Sequence, residues 1–134
     1  MIDIENYIIT RLAEALGTGV TVYDSPDSMA KFPGIVVSTT NRPLRKTRDN
    51  SLQPHHTRLT VQVDVYTNKN PWKTEIKNII QTVDSTMQDM KFFMDEFRFL
   101  PNMDISIHRG TARFSVIVRE GVTVGDLTTY QMYR

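Results

Sequence analysis

The stretch LTVQVDVYTNKNPWKTEIKNIIQTVDSTMQDM, residues 59–90, decides the fold of this chain. Its first part alternates apolar and polar side chains, which is the two-residue period of a half-buried β-strand. Its second part repeats apolar residues every three or four positions, which is the period of an amphipathic helix. We predict that Asn70 is the N-cap of this helix and that Pro71 is its first residue. The predicted buried residues are Leu59, Val61, Val63 and Val65 on the strand and Trp72, Ile76, Ile79, Ile80, Val83, Met87 and Met90 on the helix.

The same two periods predict the remaining elements. A first helix over residues 4–16 is expected to begin at Asp3, which is a good capping residue. Residues 92–103, FFMDEFRFLPNM, fit either a broken strand or an apolar loop under the second helix, with Asp95 and Glu96 at a polar turn. The predicted strands are residues 20–23, 35–40 and 59–66, followed by a last hairpin of residues 104–108 and 111–119 that turns at Arg109 and Gly110.

This order of elements predicts an α+β fold, with a single mostly antiparallel sheet and two helices packed on one face. A long basic hairpin loop is expected between the second and third strands. Residues 1–120 are expected to form one domain, and residues 121–134 a C-terminal arm. The other face of the sheet, which carries Gln62, Asp64 and Tyr66, is expected either to meet water or to pair with another subunit.

Composition narrows the class of protein. The chain has 134 residues, of which 40% are hydrophobic and 23% charged, and these values are typical of a soluble globular domain. It contains no cysteine, which excludes disulfides and thiol catalysis and fits a reducing cytoplasm. The apolar runs are too short to span a bilayer, so we predict no membrane contact. The formal net charge of +1 gives no global attraction to DNA.

Positive charge is concentrated in residues 41–58. This segment has five basic residues against Asp49, so it carries +4 and the remainder of the chain carries −3. A loop this long between two strands is often functional or disordered. Three interpretations stay open: a solvated surface loop, an arm that contacts a protein partner, and a surface that faces nucleic acid. The candidate interaction residues are Arg42, Arg45, Lys46, Arg48, His55, His56 and Arg58.

A search for catalytic and metal-binding motifs is negative. The sequence lacks the spacings of phosphate-binding loops, dinucleotide-binding turns, zinc proteases, nucleophile elbows and EF-hands. His55 and His56 are adjacent, and a metal site would need a further ligand such as His108. We therefore predict no catalytic site, no metal site and no cofactor, and we expect that the chain is not an enzyme.

Other acidic residues have structural interpretations. Asp84 and Asp89 are five positions apart on the second helix and do not share a face well, so we expect them at its solvated surface. Asp64 lies in the middle of a strand on the polar face. We expect it to form a cross-strand ion pair with Arg119 or Arg113.

The C-terminal arm contains more apolar residues than is expected of a segment that makes no contacts. Gly121 and Gly125 interrupt any continuation of the last predicted strand. Apolar groups that lack a place in a small core often mark an interaction site. We expect the arm to contact a neighbouring subunit or another protein of the same assembly, chiefly through Leu127, Tyr130, Met132 and Tyr133.

Several stretches together resemble a known family. They are a short N-terminal helix, KFPGIVVS at residues 31–38, VQVDVYTNKN at residues 61–70 with the helix after it, and PNMDISIHRGTARFSVIV at residues 101–118. Over residues 3–119 this layout resembles the small tail-terminator or tail-completion proteins of long-tailed bacteriophages. The resemblance rests on the order and pattern of the elements and brings no catalytic residue with it.

The resemblance implies a structural virion protein. Members of this family form rings, typically hexamers, that cap the tail tube and join it to the head. The implied partners are other copies of the chain, the tail tube protein and the head-completion or connector proteins, with sequence-independent contact to DNA in the pore as a further expectation. The implied location is the neck of the virion, after synthesis in the bacterial cytoplasm. Two alternatives stay open: a head-completion protein of the neck, and a nucleic-acid-binding module that uses residues 41–58.

Overall fold

The chain folds into one mixed sheet with two helices packed against it. A computed structural model describes residues 4–23, 31–43, 56–101, 106–119 and 132–133. In chain order the elements are α1 (Glu5–Leu16), a 3₁₀ turn (Gly17–Gly19), β1 (Thr21–Tyr23), β2 (Gly34–Pro43), β3 (His56–Thr67), α2 (Trp72–Asp89), β4 (Phe93–Leu100), β5 (His108–Arg119) and β6 (Met132–Tyr133).

The strands lie in the order β1-β2-β3-β5-β4, and β6 pairs with β5 beyond the end of β4. Among the described strands, β1 and β2 run parallel and the other neighbouring pairs are antiparallel. β3 and β5 are therefore the central strands. The predicted α+β class, with a mostly antiparallel sheet, is confirmed.

The core lies between the helices and one face of the sheet. Val61 of β3 pairs with Phe114 of β5, and Val63 pairs with Ala112, so large and small side chains alternate under the helices. Ile8 and Leu12 of α1 are fully buried in the same cluster. The helix positions predicted to be buried are confirmed for Ile76, Ile79, Ile80, Val83, Met87 and Met90, while Trp72 is half-buried at the edge of the core.

The β2–β3 hairpin is longer than its apolar pattern predicts. Its ladder continues past Asn41 and Leu59 to the pairs Arg42–Arg58 and Pro43–Thr57. The predicted strands ended at Thr40 and began at Leu59, but pairing of the backbones does not require an apolar pattern of side chains. The basic segment is therefore partly strand, and only residues 44–55 lie between the described ends of the hairpin.

The final hairpin also differs from the prediction. Residues 93–100 form the strand β4, and Arg109 and Gly110 lie inside β5 rather than in a turn. The pattern of residues 92–103 looked broken because β4 contains a bulge between Met94 and Glu96. A bulge inserts one residue and shifts the alternation by one position. Of the two predicted alternatives for this segment, the broken strand is confirmed.

The start of α2 is also shifted from the prediction. The helix begins at Trp72, and Pro71 occupies the N-cap position without a side-chain cap, so the roles predicted for Asn70 and Pro71 are wrong. The first turn is instead tied to the end of β3, because the Thr67 hydroxyl donates a hydrogen bond to the Glu75 carboxylate. This bond fixes the helix against the strand that precedes it.

The sheet continues beyond the predicted domain boundary. Met132 pairs with Val118 and Tyr133 pairs with Ile117, so the end of the predicted arm adds a short strand to the sheet of its own chain. The expectation that the sheet is complete by residue 120 is therefore wrong. Leu127 and Tyr130 lie outside the described residues. The expected contact of the arm with a neighbouring subunit stays a prediction.

Gly110 should be required for the close packing of α2 on the sheet. A Cβ atom at this position would lie 2.7 Å from Ile76 Cγ2 and 3.3 Å from Phe97 Cε1. We expect Gly110→Ala to lower the free energy of unfolding by about 1–3 kcal/mol in urea denaturation, because overpacking forces neighbours to shift. Gly19→Ala is the control, since nothing lies within 4 Å of its Cβ position. Equal stabilities of the two variants would contradict this account.

The buried face of α2 gives a second prediction. Ile80 is buried, whereas Lys77 is exposed on the same helix. Ile80→Ala should cost about 2–5 kcal/mol of unfolding free energy, because it removes buried methylenes and leaves a cavity. Lys77→Ala should change it by about 0.5 kcal/mol or less. Chemical denaturation checks both values, and similar costs would mean that the helix faces are misassigned.

Candidate interaction surface

The sheet face that points away from the helices is mostly polar, although it also carries the exposed Phe93. We call it the open face, because neither α1 nor α2 covers it. The pairing of β2, β3, β5 and β4 arranges its side chains in rows that cross the sheet. Successive rows are Arg42–Arg58–Ile117, then Thr40–Thr60–Ser115–Phe93, then Ser38–Gln62–Arg113–Glu96, then Val36–Asp64–Thr111–Arg98, and finally Gly34–Tyr66–Arg109–Leu100.

A cleft of about 500 Å³ occupies part of the open face. Its floor consists largely of hydroxyl-bearing residues, and charged residues of both signs stand around it. Six of its residues are exposed, namely Ser38, Thr40, Arg42, Asp95, Glu96 and Arg113, and three are half-buried, namely Arg58, Thr60 and Gln62. The short side chains of the floor leave room for another molecule to approach the sheet.

The structure brings together two of the predicted basic residues. Arg42 and Arg58 are direct cross-strand partners and both line the cleft. They were predicted in a loop, and they are found on paired strands because the hairpin ladder extends to them. His56 belongs to β3, where its backbone pairs with Arg119. The remaining candidates, Arg45, Lys46, Arg48 and His55, lie outside the described residues.

An ion pair with a buried carboxylate and a partly exposed guanidinium lies further along the open face. Asp64 is 8% exposed, and its Oδ2 lies 3.4 Å from Nη2 of Arg109. The predicted partners of Asp64, Arg119 and Arg113, are wrong. Arg109 was assigned to a turn, but its place within β5 puts it diagonally across from Asp64. The Gln62 amide also lies 3.4 Å from each carboxylate oxygen of Asp64.

Two buried polar atoms beside this ion pair have no hydrogen-bond partner in the described structure. They are Nε of Arg109 and Oγ1 of Thr111. The Arg109 guanidinium also lies 5.6 Å from the centre of the Tyr66 ring, within the range of a cation–π contact. The cluster of Asp64, Tyr66, Arg109 and Thr111 therefore stabilises the sheet through one ion pair and one ring contact, while retaining some unsatisfied hydrogen-bonding capacity.

Tyr66 is held in its neutral form. Burial raises the pKa of its phenol, and the Asp64 carboxylate adds to the rise, whereas Arg109 opposes it. A tyrosine with a raised pKa is a poor base or nucleophile at neutral pH. On the open face its ring contacts the Arg109 guanidinium.

The histidines considered for a metal site are far apart. His56 and His108 pair with Arg119 and Thr67, at opposite ends of the β3–β5 ladder. Eleven residues of strand separate the two ends, which is roughly 36 Å at about 3.3 Å per residue. Among the described residues, no group of three His, Asp or Glu side chains could hold a metal ion. His108 instead stacks on Trp72, with ring centres 4.2 Å apart.

The acidic residues of α2 differ in their surroundings. Asp89 is exposed, as predicted. Asp84 is half-buried: its Oδ2 accepts a hydrogen bond of 3.1 Å from Gln88, while its Oδ1 is buried without a hydrogen-bond partner in the described structure. The prediction of a solvated surface therefore holds for Asp84 only in part.

Sequence reasoning missed the acidic side of the cleft. Asp95 and Glu96 were assigned to a turn, yet they lie on β4 and line the cleft, where Glu96 pairs directly with Arg113 of β5. Arg113 was recognised only as an alternating strand residue. The signal for Arg113 was present in its alternation with Phe114, but the bulge in β4 concealed the face on which Glu96 lies.

Comparison with protein-family models and with curated protein sequences finds no match for this chain. In the parts of the chain that the structure describes, no helix is long and apolar enough to cross a membrane.

Removal of the Arg109 side chain should destabilise the fold. Arg109→Met leaves the buried Asp64 carboxylate without its guanidinium partner, so we expect a loss of about 1–3 kcal/mol in unfolding free energy. Arg98→Met is the matched control, because Arg98 is exposed in the neighbouring row of the same face. It should change stability by about 0.5 kcal/mol or less. Urea denaturation measures both, and an unchanged Arg109→Met midpoint would show that the ion pair adds nothing.

Proposed function

We propose that this chain is a structural subunit of a phage tail terminator, which forms a ring that caps the tail tube and joins it to the head. The proposal combines the resemblance of residues 3–119 with one structural observation. The sheet is covered by helices on one face and presents a polar, accessible cleft on the other.

A subunit with two chemically different surfaces is suited to assembly into a ring. A ring requires two different surfaces on each subunit, which meet head to tail with a rotation that closes. The outer side of α2 carries Lys77, Gln81 and Ser85 in exposed positions, and it differs in chemistry from the cleft with its arginines and carboxylates. The chain therefore offers two unlike polar surfaces for contact with neighbours.

The cleft favours a protein partner over nucleic acid. Sequence-independent DNA binding depends on clustered Lys and Arg that neutralise phosphates. Here Asp95 and Glu96 lie in the same cleft as three arginines, so the cleft has a nearly balanced charge rather than a cluster of cations. The net charge of +1 adds no long-range attraction. A nucleic-acid-binding module is therefore the weaker proposal.

The decisive experiment is electron microscopy of the neck of virus particles that encode this chain. We expect a closed ring of copies of the chain, most simply a hexamer, between the tail tube and the head-completion proteins. Particles whose neck, seen at side-chain resolution, contained no ring of this chain would refute the proposal. A ring bound to the head side, separate from the tube, would assign it to head completion instead.

A variant test separates function from folding. Arg42→Ser combined with Arg58→Ser should reduce the yield of joined, infectious particles in a complementation assay. The midpoint of thermal unfolding should stay nearly unchanged, because exposed or partly exposed charges contribute little to stability. Lys77→Ser on the exposed side of α2 is the control with the same change of charge per residue. Full joining by the arginine variant would exclude this cleft from the head–tail contact.

A further inference from the structure

We propose that the outer edge of β4 pairs with β4 of a second copy of this chain, so that the two sheets join antiparallel into one continuous sheet. A contact of this kind has a twofold axis and closes at two copies. It therefore goes beyond the proposed ring and does not depend on it. The contact uses the backbone edge of the sheet rather than the cleft.

The strand β4 ends the described sheet. It is the last strand in the order β1-β2-β3-β5-β4, and its neighbour in that order is β5. All eight of its residues are exposed or half-buried, whereas most described residues of β3 and β5 are buried. The edge of a sheet presents backbone N–H and C=O groups that can pair with a strand of another chain. The sheet can therefore be extended at β4.

The register with β5 assigns each side chain of β4 to one face of the sheet. Residues that pair with the core positions of β5 point to the helix side, and the others point to the open face. Asp95 is the extra residue at the bulge. The helix side carries Met94, Phe97 and Phe99, and the open face carries Phe93, Glu96, Arg98 and Leu100.

The charges of β4 are complementary to those of a second β4. In an antiparallel pair whose twofold axis passes through Phe97, Glu96 of each copy lies opposite Arg98 of the other. The two residues are on the same face of the sheet and both are exposed. Opposite charges directly across two strands stabilise the pairing. The symmetry gives this ion pair twice.

The partner of Glu96 within its own chain is compatible with this contact. Arg113 of β5 pairs directly with Glu96. In the joined sheet this row continues from Arg113 through Glu96 to Arg98 of the second copy, so one carboxylate lies between two guanidinium groups. A carboxylate has about four acceptor sites and can serve both of them. The signs of the charges therefore alternate across the contact.

The apolar residues of β4 match in the same register. The bulge at Asp95 is passed over, so Phe93 of each copy lies opposite Leu100 of the other on the open face. Phe93 is 47% exposed in the single chain, and this contact would cover it. The half-buried side chains of the helix side also meet apolar partners. These pairs are Phe97 with Phe97, and Met94 with Phe99 in both directions.

Other registers bring unlike groups or like charges together. An axis at Glu96 would place two carboxylates opposite each other, and an axis at Arg98 would place two guanidinium groups opposite each other. Like charges directly opposite destabilise a strand pair. A register between these positions would set residues of opposite faces against each other. Charges and a bulge commonly protect a sheet edge from pairing, and here they restrict it to the register centred on Phe97.

The dimensions of the edge predict a weak dimer. Eight residues at about 3.3 Å each give a contact roughly 26 Å long, and one sheet is about 10 Å thick, so the contact covers roughly 260 Å² in section. A stable interface of standard size buries about 800 Å² on each partner. We therefore expect a Kd on the order of 0.1 mM.

Sedimentation equilibrium of the purified full chain tests for the dimer. The wild-type protein should dimerise reversibly as its concentration rises to about 1 mM. A protein that stays monomeric at this concentration would overturn the proposal. So would a protein that forms only closed rings whose stability is unchanged by the substitutions at Glu96 and Arg98.

Two single charge reversals test the register. Arg98→Glu places carboxylates opposite each other in the dimer, and Glu96→Arg places guanidinium groups opposite each other, so each should raise the Kd at least about tenfold. An equimolar mixture should form a mixed dimer about as tightly as the wild type, because each reversed charge then faces its opposite. Lys77→Glu on the exposed side of α2 is the control and should dimerise like the wild type.

Circular dichroism and thermal unfolding establish that the variants are folded. If either reversal unfolds the chain, Arg98→Gln or Glu96→Gln replaces it, and the loss of the ion pairs should still weaken the dimer. Folded variants that dimerise like the wild type would overturn the proposal, as would a mixture that dimerises no better than its components.

Hydrogen exchange locates the contact independently of charge. Raising the wild-type concentration from about 10 μM to about 1 mM should slow exchange of backbone amides within residues 93–100, because N–H groups that point outward become hydrogen-bonded to the second copy. Amides of β1, at the opposite end of the sheet, are the control and should exchange at an unchanged rate. A dimer that slows exchange at β1 and leaves β4 unchanged would overturn the proposal.

Discussion

The packing of α2 across the β3–β5 pair is the constraint on which the rest of the structure depends. At Gly110 the helix approaches so closely that a Cβ atom would overlap Ile76. The valines of β3 and the Phe114 and Ala112 side chains of β5 form the surface beneath the helix. Because side chains alternate along a strand, this contact also fixes which residues point the other way. A shift of the strand register by one residue would turn the core side chains toward solvent and the charged side chains toward the helices.

The open face is thus a consequence of the core. Once Val61, Val63 and Val65 face the helices, Thr60, Gln62 and Asp64 must face outward. The Asp64–Arg109 pair then lies on this face, and burial of the carboxylate makes the pair sensitive to removal of either partner. The register that buries the apolar residues is the one that brings these two charges together. A shift in register would therefore remove both the apolar core and this ion pair.

The cleft depends on strand pairing that continues beyond the apolar pattern. Arg42 and Arg58 face each other because β2 and β3 stay paired after their valines end. Glu96 reaches the same surface because the bulge in β4 shifts its alternation by one position. The hydroxyl-bearing residues between these charged side chains are short and polar, so they project little from the sheet and favour contact with water. Covering a surface of this composition would cost the hydration of its charged and hydroxyl groups.

The sequence by itself determined the α+β class, the two helices, the central strands and nearly all of the core, because two-residue and 3.6-residue periods report burial locally. It also located a region rich in basic residues. Only the tertiary structure decided that Arg42 and Arg58 are strand partners, that Asp64 pairs with Arg109, and that the chain adds a last strand at Met132–Tyr133. These facts depend on register, on a bulge and on pairing between distant segments. Such contacts depend on which backbone groups pair across the sheet. The local pattern of residues does not specify that pairing.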